Sequence, residues 1–514
     1  MDPIERHAHE PDVSFDGGDL DCGGGLLLLI RRHIDPLEPG GLLEILSTDS
    51  TVEVELPAWC RLTSNELVSW TKHGDRRSYL VSKGPFAGRA QAPFAAPEAH
   101  AAQAASLSDL LSVAVTVPER LPEPTAPRTI AALSVMGVGS WPRPRWMLRA
   151  MHDHLEGRLE EAQFEATADD AVRLSVAAQL RAGVDVVTDG EQRRDNYASF
   201  VGGLLDNCQL IPLSDLTAMV EDPAEFEQEL RVLDVPASEV RHPVVYGRLG
   251  RSRPLALHEL EFAASCSDAP IKVALPGPYL LTRMMWLDCL TDRPYEHREE
   301  LARDVVRVLR EEAHFLLASG AALVQFDEPV LMEVVHGSAG STRSFMCGAL
   351  SERLEGDSEL DFAAGLLEEV VRDLPRESLA LHICRGNWTP DESAALAGDY
   401  RPLLGFLGSA PVCTLFLELS TPRAGEMAVL RDLPEDKRVA VGVVNPKVDD
   451  VEPPEEIRRR IAEAIELFGE ERVLLAPDCG FATFADNPVA SSAIAEAKLH
   501  SIVEARDLVR TYRG

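Results

Sequence analysis

LALHICRGN, residues 379–387, is a continuous apolar run that stops at a polar, glycine-containing sequence. A strand buried on both faces reads this way, whereas a half-exposed strand alternates apolar with polar residues. Seven further runs of the same kind flank it: IAALSVMGVGS from Ile130, VDVVTDGE from Val184, IKVALPGP from Ile271, ALVQFDEP from Ala322, VCTLFLELS from Val412, RVAVGVVNP from Arg438 and RVLLAPDCG from Arg472. Helical stretches separate them. Glu299 to Ser319 carries apolar residues at helical spacing before Gly320, and Pro453 to Phe468 begins with prolines and ends at Gly469. Eight buried parallel strands with crossover helices predict an α/β chain whose residues 129–514 close into a (β/α)8 TIM barrel. A doubly wound open sheet is the alternative. Residues 191–270 exceed what one crossover helix needs and are expected to insert over one face.

N-terminal to the barrel, residues 86–128 are rich in Ala and Pro with few large side chains, too little apolar area to offset their ordering entropy, and read as a linker. Residues 1–85 hold a helical LLLLIRRHI run (26–34), the strand-like LLEILST (42–48) and the closing strand SYLVSKG (78–84), which together predict a small α/β sandwich.

Eighty-four acidic against fifty basic side chains leave a formal charge of −34, so phosphate backbones and anionic membranes are repelled and no nucleic-acid or membrane partner is expected. No apolar stretch is long enough to span a bilayer, and the first 18 residues lack the basic-then-apolar pattern of a secretory signal; a cytoplasmic protein is expected. Nine scattered cysteines do not form a disulfide framework and are available as thiols.

In such a barrel, chemistry gathers where the strands end. The fifth run ends in His382-Ile383-Cys384, and residues two apart on a strand point to the same side. The sixth ends at Glu418 and the eighth at Cys479. One nitrogen, two sulfurs and one carboxylate suit tetrahedral Zn2+. Each residue also has a plainer reading: a buried Cys is commonly a small core hydrophobe, and Glu418 could pair with Arg385 or Arg423.

The segments LHICRGN, LFLELS and APDCG, together with GVGSWPRP, TDGEQRRDNY, the LPGP turn and QFDEP, resemble in order the catalytic barrel of the cobalamin-independent methionine synthase family, over about residues 129–500. The resemblance implies a zinc-dependent methyltransferase in which His382, Cys384, Glu418 and Cys479 hold the metal and a small-molecule thiol resembling homocysteine is methylated to a thioether. Metal coordination keeps the substrate thiol deprotonated, where a free thiol with pKa near 8.5 is a thiolate only to a few per cent. By the same resemblance Asp327 and Glu191 hold the α-amino group of the acceptor, Ser140 contacts its carboxylate, and Arg385 is expected to meet an anionic substrate. Two departures concern the methyl donor. Val443-Val444-Asn445-Pro446 stands where folate-using members place a proton-donating histidine, and Met284 falls near the position of a pterin-stacking tryptophan, with Trp286 two residues later. A methylcorrinoid donor, supplied by a corrinoid protein, is therefore expected over folate.

The segment from Leu20 to Gly84 resembles the TusA/SirA family of small sulfur carriers, with Cys22-Gly23-Gly24-Gly25 where that family has Cys-Pro-x-Pro. Cys22 just before a helix would face the positive end of its dipole, which stabilises a thiolate or persulfide. Hence the alternative function, in which Cys22 is a catalytic sulfur carrier served by a sulfur-relay partner and the barrel is a sulfur-transfer or alkyl/epoxide:thiol transferase.

Overall fold

The computed structural model describes all residues except 1–2, 89–110, 156, 218–239, 288–292, 338–355, 387–395, 486–489 and 514. The middle of the Ala/Pro-rich stretch, part of the 191–270 stretch and Asn387 of LHICRGN therefore lie outside the described residues.

Six strands form a parallel sheet in the order β12-β11-β10-β9-β8-β7: β7 (Lys272–Pro276), β8 (Leu323–Asp327), β9 (Leu379–Ile383), β10 (Thr414–Leu417), β11 (Arg438–Gly442) and β12 (Val473–Ala476). Two shorter extended segments close the ring. Val135 bridges Leu475 on β12, Met136 bridges Val186, and Val187 bridges Ile271 beside β7, all in parallel. All eight apolar runs thus become barrel staves, and the open-sheet alternative fails because no edge is left between β12 and β7.

Strand parity explains why both faces read as apolar. Met136, Val138, Val186, Leu323, Ala380, Phe416, Ala440, Leu474 and Ala476 form a separate cluster inside the barrel. Their neighbours, such as Val324, Leu381, Leu415, Val439 and Leu475, join the larger core. Side chains two apart share a face, so the inward series Ala380, His382 and Cys384 carries the fifth run's polar ending to the barrel mouth. The helices Arg298–Ala318 and Pro454–Phe468 fall within one residue of their predicted ends. Gly183, at φ 84°, accepts the left-handed turn that ends helix Glu161–Ala182 and feeds the second stave.

The insertion contains an antiparallel pair, β5 (Asp206–Pro212) with β6 (Arg241–Gly250), and the helix Leu257–Cys266. On it rests the N-terminal unit. There, β1 (Val13–Asp16), β2 (Leu42–Ser47), β3 (Glu66–His73) and β4 (Arg76–Ser82) form a mixed sheet in the order β1-β2-β4-β3, with helices Leu27–Ile34 and Val52–Leu62 between the strands. The Arg31 guanidinium pairs with Asp215, whose side chain has no exposed surface. Deleting one partner of a buried pair costs about 3–5 kcal/mol, so this contact fixes the N-terminal unit to the insertion. Among the described residues no helix is long and apolar enough to cross a membrane.

Candidate metal centre

Ser140, Glu191, Tyr197, Asp327, His382, Cys384, Cys479 and Thr483 line a cavity of about 450 Å³ of empty volume at the C-terminal mouth of the barrel. His382, Cys384 and Cys479 are buried there and bring one ligand atom each to within 4.8 Å of one another. The two sulfurs are 3.8 Å apart. His382 Nδ1 donates to Asp327 Oδ1 at 2.9 Å, while Nε2 is buried without a hydrogen-bond partner. An orphaned imidazole nitrogen beside two thiols could hold a metal ion and has the chemistry that suits zinc, with a carboxylate behind the histidine to orient it.

The electrostatics run the same way. The hydrogen bond from Cys479 and the neighbouring imidazole hold the Cys384 thiol well below its usual range, with burial opposing; sharing that bond and burial push Cys479 up. Burial disfavours charge on His382, but Asp327 and Cys384 outweigh it and raise the ring to about 10.

Glu418 stands outside the trio. Its side chain is fully buried, Oε2 accepts the Arg385 N–H at 2.8 Å, and Oε1 lies 2.7 Å from the Arg423 guanidinium. Asp478, next to Cys479, accepts the N–H groups of Leu419 and Ser420 and so fixes the loop that follows Glu418.

Glu191 and Ser140 reach the cavity from the first two staves. Glu191 sits at φ 54°, a left-handed conformation uncommon for a side chain of its kind, and the Arg143 guanidinium holds the turn through the Glu191 and Arg194 carbonyls. Burial, with Asp327 adding repulsion and Arg194 opposing, pushes the Glu191 carboxyl up to about 7. A Cβ at Gly139 would collide with Glu191 Oε1, and one at Gly480 would collide with Ser140 Oγ, so both loops approach these side chains only as glycine.

Two expectations are corrected. Arg385 does not face the cavity: it has no exposed surface, its Nε, Nη1 and Nη2 donate to the carbonyls of Gly398, Glu418 and Ala424, and it stacks 4.1 Å from the Tyr400 ring centroid. Three of its five N–H donors are committed to these carbonyls, and the side chain is buried outside the cavity lining, so it is not presented to a substrate anion. Cys22 lies in the N-terminal unit, away from the residues that line the cavity. Burial, Glu55, Asp21 and Asp49 all raise its thiol pKa. A ready thiolate is not what this environment favours.

Sequence reasoning assigned no role to Tyr197, Thr483, Lys272 or Gln325. Tyr197 and Thr483 lie in irregular segments with no periodic signal. Lys272 had one: a lysine second in the apolar run IKVALPGP is out of place unless it has a partner inside the barrel.

A closed parallel barrel with a His-Cys-Cys trio at its strand ends places the chain among α/β-barrel enzymes with a candidate metal site at the barrel mouth. The particular family follows from comparison: the family model described as the catalytic domain of cobalamin-independent synthase matches residues 133–354 and 409–505, and the chain belongs to that family and is a methyltransferase. His382 and Cys384 fall between the two matched blocks, so their placement rests on the geometry above. Among curated proteins, a methionine synthase of Saccharolobus solfataricus is 25% identical over 374 residues, covering 73% of this chain and 93% of that protein. That of Sulfolobus acidocaldarius is 25% identical over 352 residues, with 68% and 86% covered. Among solved structures, a B12-independent methionine synthase from Shewanella sp. W3-18-1 in complex with selenomethionine superposes with a TM-score of 0.55 at 22% identity, covering 74% of this chain and 99% of that one. A putative vitamin-B12 independent methionine synthase from Listeria monocytogenes gives 0.54 at 18%, with the same coverage. The family's cobalamin independence overturns the expectation of a methylcorrinoid donor and gives no support to a corrinoid partner protein.

Proposed function

We propose that the protein is a cytoplasmic, zinc-dependent S-methyltransferase that methylates homocysteine to methionine. The observation that carries this reading is the convergence of His382, Cys384 and Cys479 to within 4.8 Å in a cavity that Asp327, Glu191 and Ser140 also line. Zinc held by the trio would keep an incoming thiol as its nucleophilic thiolate at neutral pH. Glu418 can complete the set only by exchanging Arg423 for the metal.

The remaining residues suit an amino-acid thiol. Asp327 Oδ1 is taken by Gln325 and His382, which leaves Oδ2 for a substrate ammonium, and Glu191 Oε2 is buried without a hydrogen-bond partner. Two carboxylates facing one ammonium form charge-assisted bonds that gain strength as water is excluded. Ser140 Oγ accepts the Ala482 N–H at 3.2 Å, so its own hydroxyl hydrogen remains to be given to a substrate carboxylate.

The chain is read as a 1–85 unit on a TusA/SirA-like scaffold, a connecting 86–128 stretch and the 129–514 barrel; the β-α-β-α-β-β order of the first supports this. The buried, acid-flanked Cys22 gives no support to a sulfur-relay role.

The test is direct. Purified protein is analysed for metal and assayed for methionine formation from homocysteine, with methyltetrahydrofolate as donor and methylcobalamin as control. Equimolar zinc and homocysteine-dependent methylation are expected, with no transfer from methylcobalamin. Absence of bound zinc, or methyl transfer only to thiols lacking an α-amino group, would overturn the reading.

A further inference from the structure

Lys272 opens β7 with its side chain fully buried inside the barrel, among residues that otherwise form an apolar plug. Its Nζ donates to the Val138 carbonyl and to Gln325 Oε1, and lies 4.2 Å from the centroid of the Phe416 ring. The Gln325 Nε2 donates to Asp327 Oδ1 at 2.7 Å, and that same oxygen accepts from His382 Nδ1 at 2.9 Å. Lys272, Gln325, Asp327 and His382 thus form one unbroken chain from the barrel interior to the metal trio.

The direction of every bond in this chain is set at the lysine end. An ammonium only donates, so the Gln325 carbonyl oxygen must turn toward Lys272 and its NH2 toward Asp327. With that NH2 directed at it, Asp327 Oδ1 must accept. Accepting a second time from the imidazole puts the ring hydrogen on Nδ1, and the lone pair is left on Nε2, the nitrogen that has no protein partner. Were Gln325 free to rotate by half a turn, its oxygen would face the Asp327 carboxylate, and the orientation of His382 would lose its anchor.

We propose that Lys272 is a positioning residue for the metal site, fixing through Gln325 and Asp327 the tautomer and orientation in which His382 presents Nε2 to zinc. This rests on the function proposed above. Lys272 touches neither substrate nor metal; its effect is transmitted by the polarity of three consecutive hydrogen bonds. Its charge suits the task, because it balances Asp327 within the barrel while two thiolates balance a divalent ion. Burial lowers the lysine to about 7 while Asp327 and Glu191 oppose that fall; the polarity does not need a full charge, because Nζ faces two acceptors, the Val138 carbonyl and Gln325 Oε1, and even a neutral amine has a hydrogen for each.

The experiment compares Lys272→Met, Gln325→Met and the double variant in the full chain. It measures zinc affinity by chelator competition, the d–d spectrum of the cobalt(II) form, and kcat and KM for homocysteine. Each single variant is expected to bind zinc roughly 10- to 100-fold more weakly, the usual effect of losing support behind a ligand. The double variant should be no worse than the weaker single, since both break one chain. The cobalt spectrum should change, and kcat should fall with little change in KM. Wild-type affinity in Lys272→Met, or losses that add in the double variant, would overturn the proposal. If Lys272→Met does not fold, wild-type zinc affinity in Gln325→Met overturns it equally. Should the proteins show the expected metal pattern yet fail to methylate homocysteine, the functional reading falls and the positioning role stands. A wild-type chain that binds no divalent metal ends both.

Discussion

Cys384 and Cys22 are almost equally hidden from water, 4% and 5% exposed, yet their surroundings drive them to opposite chemistry. Cys384 lies at a strand end against a hydrogen-bond donor, Cys479, and a basic ring, His382, which favour its thiolate. Cys22 lies in a short turn before a helix, the placement expected to stabilise an anion, but Glu55 accepts its backbone N–H at 3.3 Å and Asp21 and Asp49 add their charge. Burial raises both thiols; it is left unopposed and reinforced by carboxylates at Cys22, whereas at Cys384 the hydrogen bond from Cys479 and the His382 ring outweigh it.

The largest effect expected from this contrast is at the trio. Cys384→Ser or Cys479→Ser should leave a protein that emerges from dialysis without zinc and forms no methionine, whereas Cys22→Ser should retain both metal and activity. Elemental analysis alongside the methylation assay checks it. A Cys22→Ser variant that lost transfer while keeping zinc would break the comparison outright.

Next in size is the substrate's amino group. Glu191→Gln removes a charge-assisted bond of about 1.5–3 kcal/mol and should raise KM for homocysteine roughly 10- to 100-fold with zinc content unchanged. In the wild type, Glu191 must be ionised to hold an ammonium. KM should therefore rise as pH falls through about 7, and this dependence should vanish in the variant. Stability moves the other way. The folded carboxyl stands at about 7 against an ordinary value of 4.5, so its favourable contribution is fully present below the unfolded value and lost as pH rises through 7. In the substrate-free protein that loss is on the order of 3 kcal/mol. Urea titrations at pH 5 and 8 should show the wild type losing stability relative to the Glu191→Gln variant as pH rises; a difference between the two proteins that stays constant would remove Glu191 as the titrating group.

A smaller effect sharpens the same point from across the cavity. Gly139→Ala sets a methyl group against Glu191 Oε1 with no room for both, so the carboxylate must move. A rise in KM of roughly tenfold, about 1.4 kcal/mol, is expected with zinc affinity intact. Loss of zinc instead would mean that the amino-group pocket and the metal trio are not separable.

How much of this was legible beforehand follows from what a linear sequence encodes. The eight staves were visible because a strand covered on both faces must be apolar at every position, but for the same reason the sequence did not show which parity faced inward; the inward cluster with Ala380 did. The trio was visible because His382 and Cys384 are two apart on one strand and Cys479 ends another. Arg385 was misread because nothing in HICRGN tells a guanidinium facing a cavity from one folded back onto the Gly398 and Ala424 carbonyls, which arrive from distant chain. Glu418 was read as a metal ligand, with an arginine pairing as the plainer alternative, and its 2.7 Å contact with Arg423 depends on loop geometry that no local pattern carries. Asp327 was read only as a substrate contact, although it also supports His382. Its neighbour Glu328 proved to have a separate task, accepting the Tyr279 and Leu280 N–H groups at the start of the helix after LPGP. In the N-terminal unit the turn before the helix was legible, but Glu55 lies 33 residues away and its approach to Cys22 was not.

That approach supplies the smallest effect and the finest test of the contrast. If the acidic neighbours help to hold Cys22 as a thiol, Glu55→Gln should lower its pKa, while burial, the larger cause, remains. Alkylation of Cys22 at pH 8 should then be slow in the wild type and only a few-fold faster in the variant, because rate follows thiolate fraction and access together. Peptide mass spectrometry after timed iodoacetamide treatment reads both. Should wild-type Cys22 react as fast as a free thiol, the charges around it are not governing its chemistry, and the distinction drawn between the two cysteines loses its cause.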